Sequence, residues 1–245
     1  MGFYKIADRV FEIKERYDYI KKACADYLCD ATSADCVVSV SDEDIKLQGE
    51  LAEKVGEPIA NVEFLEYLAA YRIITEYLYC EDCFLFHAAV ITLDGKAYAF
   101  TARSGTGKTT HIRLWKKCFG DRVQMVNGDK PLIRRIKEGG KDKFIAYGTP
   151  WCGKEKYNRN TSAVLDGICI VSRGEKNEIE RISVEAAVPE LYRQMMIISD
   201  RKYLGSLLDM IDGMVTNIPV YRLKCNMEDE AATVAAKAMA GAEKG

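Results

Sequence analysis

The segment Ala102-Arg103-Ser104-Gly105-Thr106-Gly107-Lys108-Thr109-Thr110 constrains the chain more than any other. Residues 96–101 read as a strand and 108–118 as a helix, so the glycines fall at the strand–turn–helix junction that a phosphate-binding loop requires. Gly105 and Gly107 allow backbone conformations that a side chain would forbid. Successive N–H groups can then turn toward phosphate oxygens, and the following helix adds the positive end of its dipole. Lys108 offers a point charge for the outer phosphates, and the Thr109 hydroxyl is a hard oxygen ligand of the kind Mg²⁺ takes. Arg103, on the loop, is a candidate to touch nucleotide or acceptor, against the alternative of a surface salt bridge. The first glycine of the usual pattern is replaced by Ala102.

A phosphate loop needs an acidic partner, and Asp129 lies just past the apolar run 123–126, where a metal ligand or general base would sit. The same residue also suits a turn in Asn127-Gly128-Asp129. His87, one of two histidines, is a candidate to orient the base or touch the transferring phosphate. The other, His111, reads as a packing or surface residue. Cys80 and Cys83 with His87 suggest zinc, but one CxxC without a second pair falls short of a closed site. The segment 148–154 has loop composition and carries Trp151 and Lys154, with Asn158 and Arg159 close behind. A role in acceptor or phosphate binding is expected for these four, against the alternative of a basic loop around one buried Trp.

Around these residues the pattern is α/β. Residues 1–60 read as a small N-terminal α/β appendage, with strands at 4–13 and 36–40, a helix over 17–28 and another beginning near Asp44, which the segment Ser41-Asp42-Glu43-Asp44 can cap. Residues 61–245 read as the main domain. It opens with a helix over 61–79, capped by Asn61 and carrying apolar residues at three- and four-residue steps. A buried strand is expected over 84–92. Asp94-Gly95 signals a hairpin that returns it antiparallel as 96–101. A second hairpin spans 131–147, a strand 168–172, and helices 184–198, 201–212 and 228–242. The whole predicts a mixed sheet with antiparallel hairpins.

The 245 residues carry 35 basic and 37 acidic side chains, a net charge of −2 that gives no electrostatic reason to expect nucleic acid as a partner. No run of about 18 apolar residues marks a membrane span, and the first residues do not read as a signal peptide. Nine scattered cysteines, an odd number, then point to reduced thiols in a cytoplasmic protein.

The loop resembles that of ATP-dependent phosphoenolpyruvate carboxykinases, and the fuller arrangement is similar to HPr kinase/phosphorylase and its relatives, which share that atypical P-loop fold. His87, 21 residues before Lys108, is placed much as in those kinases. Asn127-Gly128-Asp129-Lys130-Pro131 and Tyr147-Gly148-Thr149-Pro150-Trp151-Cys152-Gly153-Lys154 resemble an uncharacterised HPr kinase-like subgroup. The likeness covers about residues 84–175. It implies a kinase that moves the γ-phosphoryl of ATP, with Mg²⁺, to a hydroxyl, such as that of a serine, of a protein, peptide or small molecule. On that basis Asp129, His87 and Lys108 are the catalytic residues, Arg103 to Thr110 hold the nucleotide, and Thr109 and Asp129 hold the metal. It also suggests a homo-oligomer. Asp129 matches the second of the family's paired acids, whereas Gly128 stands where the first belongs. That departure supports the alternative of a nucleotide-binding switch without transfer activity.

Overall fold

The computed structural model describes residues 2–54, 56, 58, 60–103, 105–153, 155–195 and 203–241. Contacts divide the chain into Met1–Glu81 and Asp82–Gly245. The sequence boundary at residue 60 falls ahead of the 61–79 helix, which packs against the helices and a strand of the first unit.

The first unit holds strands β1 (Gly2–Ile6) and β2 (Arg9–Lys14), helix α1 (Asp18–Ala23), strand β3 (Cys36–Ser39), and helices α2 (Asp42–Lys54) and α3 (Val62–Tyr79). The single strand expected over 4–13 is an antiparallel hairpin. Ala7 and Asp8 take φ of 47° and 58°, the left-handed pair that matches strand twist in a two-residue turn. Both expected caps form. Ser41 Oγ accepts from the Asp44 N–H at 3.1 Å, and Asn61 Oδ1 from the Phe64 N–H at 2.9 Å. Glu66 of α3 is fully buried, and its carboxylate takes the Arg16 and Tyr17 N–H groups at 2.7 and 3.2 Å. Those bonds meet the cost of burying an acid.

The second unit runs β4 (Cys83–Leu85), β5 (Ala89–Leu93), β6 (Lys96–Thr101), α4 (Lys108–Phe119), β7 (Val123–Asn127), β8 (Leu132–Glu138), β9 (Lys141–Tyr147), β10 (Ser162–Arg173), β11 (Glu178–Arg181), α5 (Val184–Tyr192), α6 (Leu204–Asn217), β12 (Val220–Cys225) and α7 (Asp229–Ala240). The nine strands form one mixed sheet in the order β4-β8-β9-β10-β6-β5-β7, with β12 alongside β10 and β11 beside β12. Strands β6, β10 and β12 are parallel, while the other pairings are antiparallel. This agrees with the mixed α/β reading. Both expected hairpins are present, and strands β11 and β12 were not foreseen. Helix α5 ends at Tyr192 rather than at 198, and α6 runs Leu204–Asn217, with 196–202 outside the described residues. Among the described residues no helix is long and apolar enough to cross a membrane.

The expected strand 84–92 breaks at Phe86–Ala88 for a visible reason. The N–H groups of Phe86, His87 and Ala88 go to three separate carbonyls, Pro131 at 3.1 Å, Gln194 at 2.8 Å and Asp129 at 3.1 Å, rather than to one ladder. His87 therefore stands in a gap between β4 and β5, not within a strand.

One face of the sheet packs on α4 and α7, with Phe100, Trp115, Leu223 and Ala232 buried between them. His111 belongs to this core at 2% exposure, and its Nε2 accepts from Trp115 Nε1 at 2.9 Å. Burial lowers its pKa to about 4. The unfolded chain keeps the ordinary value near 6.5, so it binds a proton that the folded chain refuses. Stability is therefore complete above about pH 6.5 and falls as pH drops toward 4, by about 3 kcal/mol in all. Urea midpoints for the native chain and His111→Gln should converge as pH falls from 7 to 4.5. Parallel pH dependence in the two proteins would refute this role.

Candidate functional site

The loop between β6 and α4 follows from its glycines. Gly105 and Gly107 take φ of 75° and 117°, and a Cβ at either would meet only open space. Glycine is thus required for conformation, not room. Ala102 is buried, and Thr106 N donates to Arg103 O at 3.1 Å to close the turn. From the end of β10, Arg173 donates to the Gly105 carbonyl at 2.6 Å and to that of Thr106 at 3.3 Å. Sequence reading missed this brace, because Arg173 lies far along the chain and carries no local motif.

Beside the loop is a cavity of about 260 Å³ lined by Arg103, Gly105, Thr106, Gly107, Lys108, Thr109, His87, Gly128, Asp129, Gly153 and Glu155. Three expected catalytic groups meet in it. Lys108 Nζ lies 2.8 Å from His87 Nε2, and Asp129 Oδ1 lies 3.3 Å from the same nitrogen. His87 Nδ1 is 3.0 Å from Gln194 Oε1. Lys108 also reaches the Ala102 carbonyl at 3.5 Å, so its ammonium is turned back against the end of β6. Burial holds the Lys108 pKa below its ordinary value, with Asp129 pulling the other way. Burial pushes Asp129 up, but the His87 hydrogen bond and the charges of Lys130, His87 and Lys108 outweigh it and hold the acid below the usual carboxylate range. Asp129 is consequently an anion at neutral pH, and a weak base.

Asp129 is positioned by Asn127, which is fully buried at the end of β7. Asn127 Oδ1 accepts from the Asp129 and Lys130 N–H groups at 2.9 and 2.7 Å. Its Nδ2 donates to the carbonyls of Thr149 and Trp151, each at 3.2 Å. One amide side chain thus ties the turn bearing Asp129 to the 148–153 loop.

Two glycines fit close chain approaches here. At Gly128 a Cβ would lie 3.0 Å from Tyr157 Cβ and 3.2 Å from its carbonyl oxygen. The chain at Tyr157 therefore crowds this position, and a side chain enters only if that chain yields by a few tenths of an ångström. At Gly148 a Cβ would fall 1.8 Å from Arg159 O and 2.6 Å from Val126 O, a position open to glycine alone. A second carboxylate nevertheless borders the cavity. A Cβ on Gly153 would be 3.3 Å from Glu155 Oε2 and 3.5 Å from Asp129 Cβ, so the two acids flank one point.

Of the expected nucleotide residues, Thr110 lies on α4 outside the cavity lining, and Ser104 lies outside the described residues. Of the four expected acceptor residues, Trp151, Asn158 and Arg159 are not part of that lining. Trp151 is buried at 3% exposure, because Asn127 and Thr149 draw its carbonyl inward. Asn158 accepts from the Cys152 thiol at 3.4 Å, Arg159 lines a separate cavity beside α4, and Lys154 lies outside the described residues. Glu155 and Gln194 reach the site without a sequence signal; Gln194 is brought to His87 only by the tertiary fold.

Thr109 and Asp129 both line the cavity with oxygen donors. That donor chemistry fits Mg²⁺, which binds through one or two protein oxygens and completes its shell with phosphate and water. Among the described residues no group of three or more His, Cys, Asp or Glu could hold a metal unaided.

No family model matches the sequence, and no curated protein matches it. Among solved structures the chain is similar to the HPr(Ser) kinase/phosphatase from Coxiella burnetii, at 12% identity over 61% of this chain and 90% of that one, with a TM-score of 0.31.

Proposed function

We propose that the chain is a kinase that transfers the γ-phosphoryl of ATP to a hydroxyl. The observation that carries this reading is the meeting of Lys108, His87 and Asp129 beside a glycine loop at a helix N-terminus. The loop and α4 bind the phosphates through backbone N–H groups. Lys108 leaves His87 for the outer phosphates, where its charge offsets charge on the transferring group. His87 Nε2, once released, orients Asp129. Thr109 and Asp129 would hold Mg²⁺, which would supply positive charge at the phosphates. In the transfer, the bond between the γ-phosphorus and its bridging oxygen breaks, and a bond to the acceptor oxygen forms. The hydroxyl proton passes to Asp129, a weak base suited to a reaction that asks mostly for positioning and charge.

A second reading, a nucleotide-dependent switch without transfer, is favoured by the chain at Tyr157 crowding the place of a first acid at Gly128. Incubation with γ-labelled ATP and a cell extract separates the two. A labelled acceptor supports the kinase, and nucleotide binding without any label supports the switch.

Either reading requires nucleotide to stabilise the fold. At 100 times its dissociation constant, Mg-ATP should add about 2.7 kcal/mol. For a chain of this size that is a rise of about 5–10 °C in the thermal midpoint. An unchanged midpoint at saturating nucleotide would defeat both readings.

A further inference from the structure

A second cavity, also of about 260 Å³, lies behind the glycine loop. Its floor is the row Thr101, Ile170 and Arg222, which stand in register across the parallel strands β6, β10 and β12. Glu190 of α5 and Gln194 just past that helix form its wall, and Arg103 and Thr106 of the loop form its rim. The position is the carboxyl end of parallel strands, where open α/β sheets bind ligands.

The chemistry of the lining is specific. Two guanidinium groups, Arg103 and Arg222, suit an anion and outnumber the one carboxylate, Glu190. Arg222 is paired with Glu180 at 3.3 Å across a partly exposed contact, a weak pairing from which a better-placed carboxylate can recruit it. Glu190 Oε1 is paired with Arg193 at 3.2 Å in an exposed contact, and its second oxygen can accept a hydrogen bond from a hydroxyl. At about 30 Å³ per water-sized group, the space holds roughly nine non-hydrogen atoms. Arg103 and Thr106 border both cavities, and Gln194 joins this one to His87 at 3.0 Å.

We infer that this rear cavity binds a small hydroxylated carboxylate, and that this ligand is the phosphoryl acceptor; the second clause rests on the kinase reading. The carboxylate lies between Arg103 and Arg222, one hydroxyl donates to Glu190, and a second hydroxyl, the one that takes the phosphoryl, turns toward Asp129 past Arg103 and Thr106, which border both cavities.

Calorimetric titration of the full chain with D-glycerate tests the binding without nucleotide. Propionate serves as the acid lacking hydroxyls and glycerol as the polyol lacking charge. D-glycerate should bind at least tenfold more tightly than either control. Arg222→Met should weaken it at least tenfold, and Glu190→Gln should narrow the difference between D-glycerate and propionate. Equal binding of D-glycerate and glycerol, or unchanged D-glycerate binding in a folded Arg222→Met protein, would overturn the inference. Mg-ADP should bind without displacing D-glycerate, and full displacement would mean one shared site and would overturn it too. Failure of Mg-ADP to bind, with D-glycerate still binding in an Arg222-dependent way, would remove the kinase reading and leave the carboxylate site standing.

Discussion

Asp129→Asn should lower ATP turnover by about a thousandfold, the scale expected when a charge that acts in the transition state is removed. The substitution keeps the shape of the side chain and its place in the Asn127 turn, so the fold should be unaffected. It removes an anion that faces both Lys108 and His87. Losing that anion also withdraws what holds the Lys108 pKa up against burial. On the kinase reading the variant loses a metal ligand and a base, and the neighbouring ammonium becomes easier to deprotonate. Lys108→Ala should be as damaging through a different route, by loss of charge at the outer phosphates. Turnover of labelled ATP, beside circular dichroism spectra, measures both. Full activity in Asp129→Asn would exclude this residue from the chemistry.

Gly148→Ala should cost about 3 kcal/mol of stability, at the upper end for overpacking, because the new methyl meets backbone that cannot rotate away. Its contacts would be Arg159 O and Val126 O, and the Gly148 N–H is itself bonded to Thr161 O at 2.9 Å. To make room, the chain at 158–161 must separate from β7. The strain then passes to Asn127 and to the turn carrying Asp129. The variant should accordingly lose nucleotide affinity as well as urea resistance. Gly128→Ala offers the contrast: its nearest contact of 3.0 Å requires only a few tenths of an ångström of movement, so about 1 kcal/mol is expected. Similar urea midpoints for the two variants would show that the three-chain contact yields more readily than its spacing implies.

What the sequence made legible was local. The left-handed conformations of Gly105 and Gly107, the Asp94-Gly95 hairpin and the caps at Ser41 and Asn61 are each written within a few residues, and each takes the expected form. The break at His87 was hidden, since the apolar run 84–92 is continuous while the partners that interrupt it come from residues 129, 131 and 194. Strand β12 carries no turn signal of its own and gains its identity by pairing with β10. Glu155 and Gln194 were invisible for the same reason. The placement of Trp151 fails instructively. An aromatic in a polar loop suggests a ligand contact, but the buried Asn127 amide, which no spacing rule identifies, draws that loop inward.

The parallel trio at the centre of the sheet has a consequence for the order of events during folding. Phe100 and Thr101, at the entrance to the glycine loop, pair with Cys169 and Ile170, and Ile170 in turn pairs with Arg222. Such joins close long loops before they return any contact energy, which makes them slow to form. On the ribosome, the strand that leads into the loop pairs at once with β5 but must wait for its second partner, made some seventy residues later, and Arg173, which braces the loop, emerges with that partner. The nascent chain thus fixes the glycine loop late, after most of its length has been synthesised.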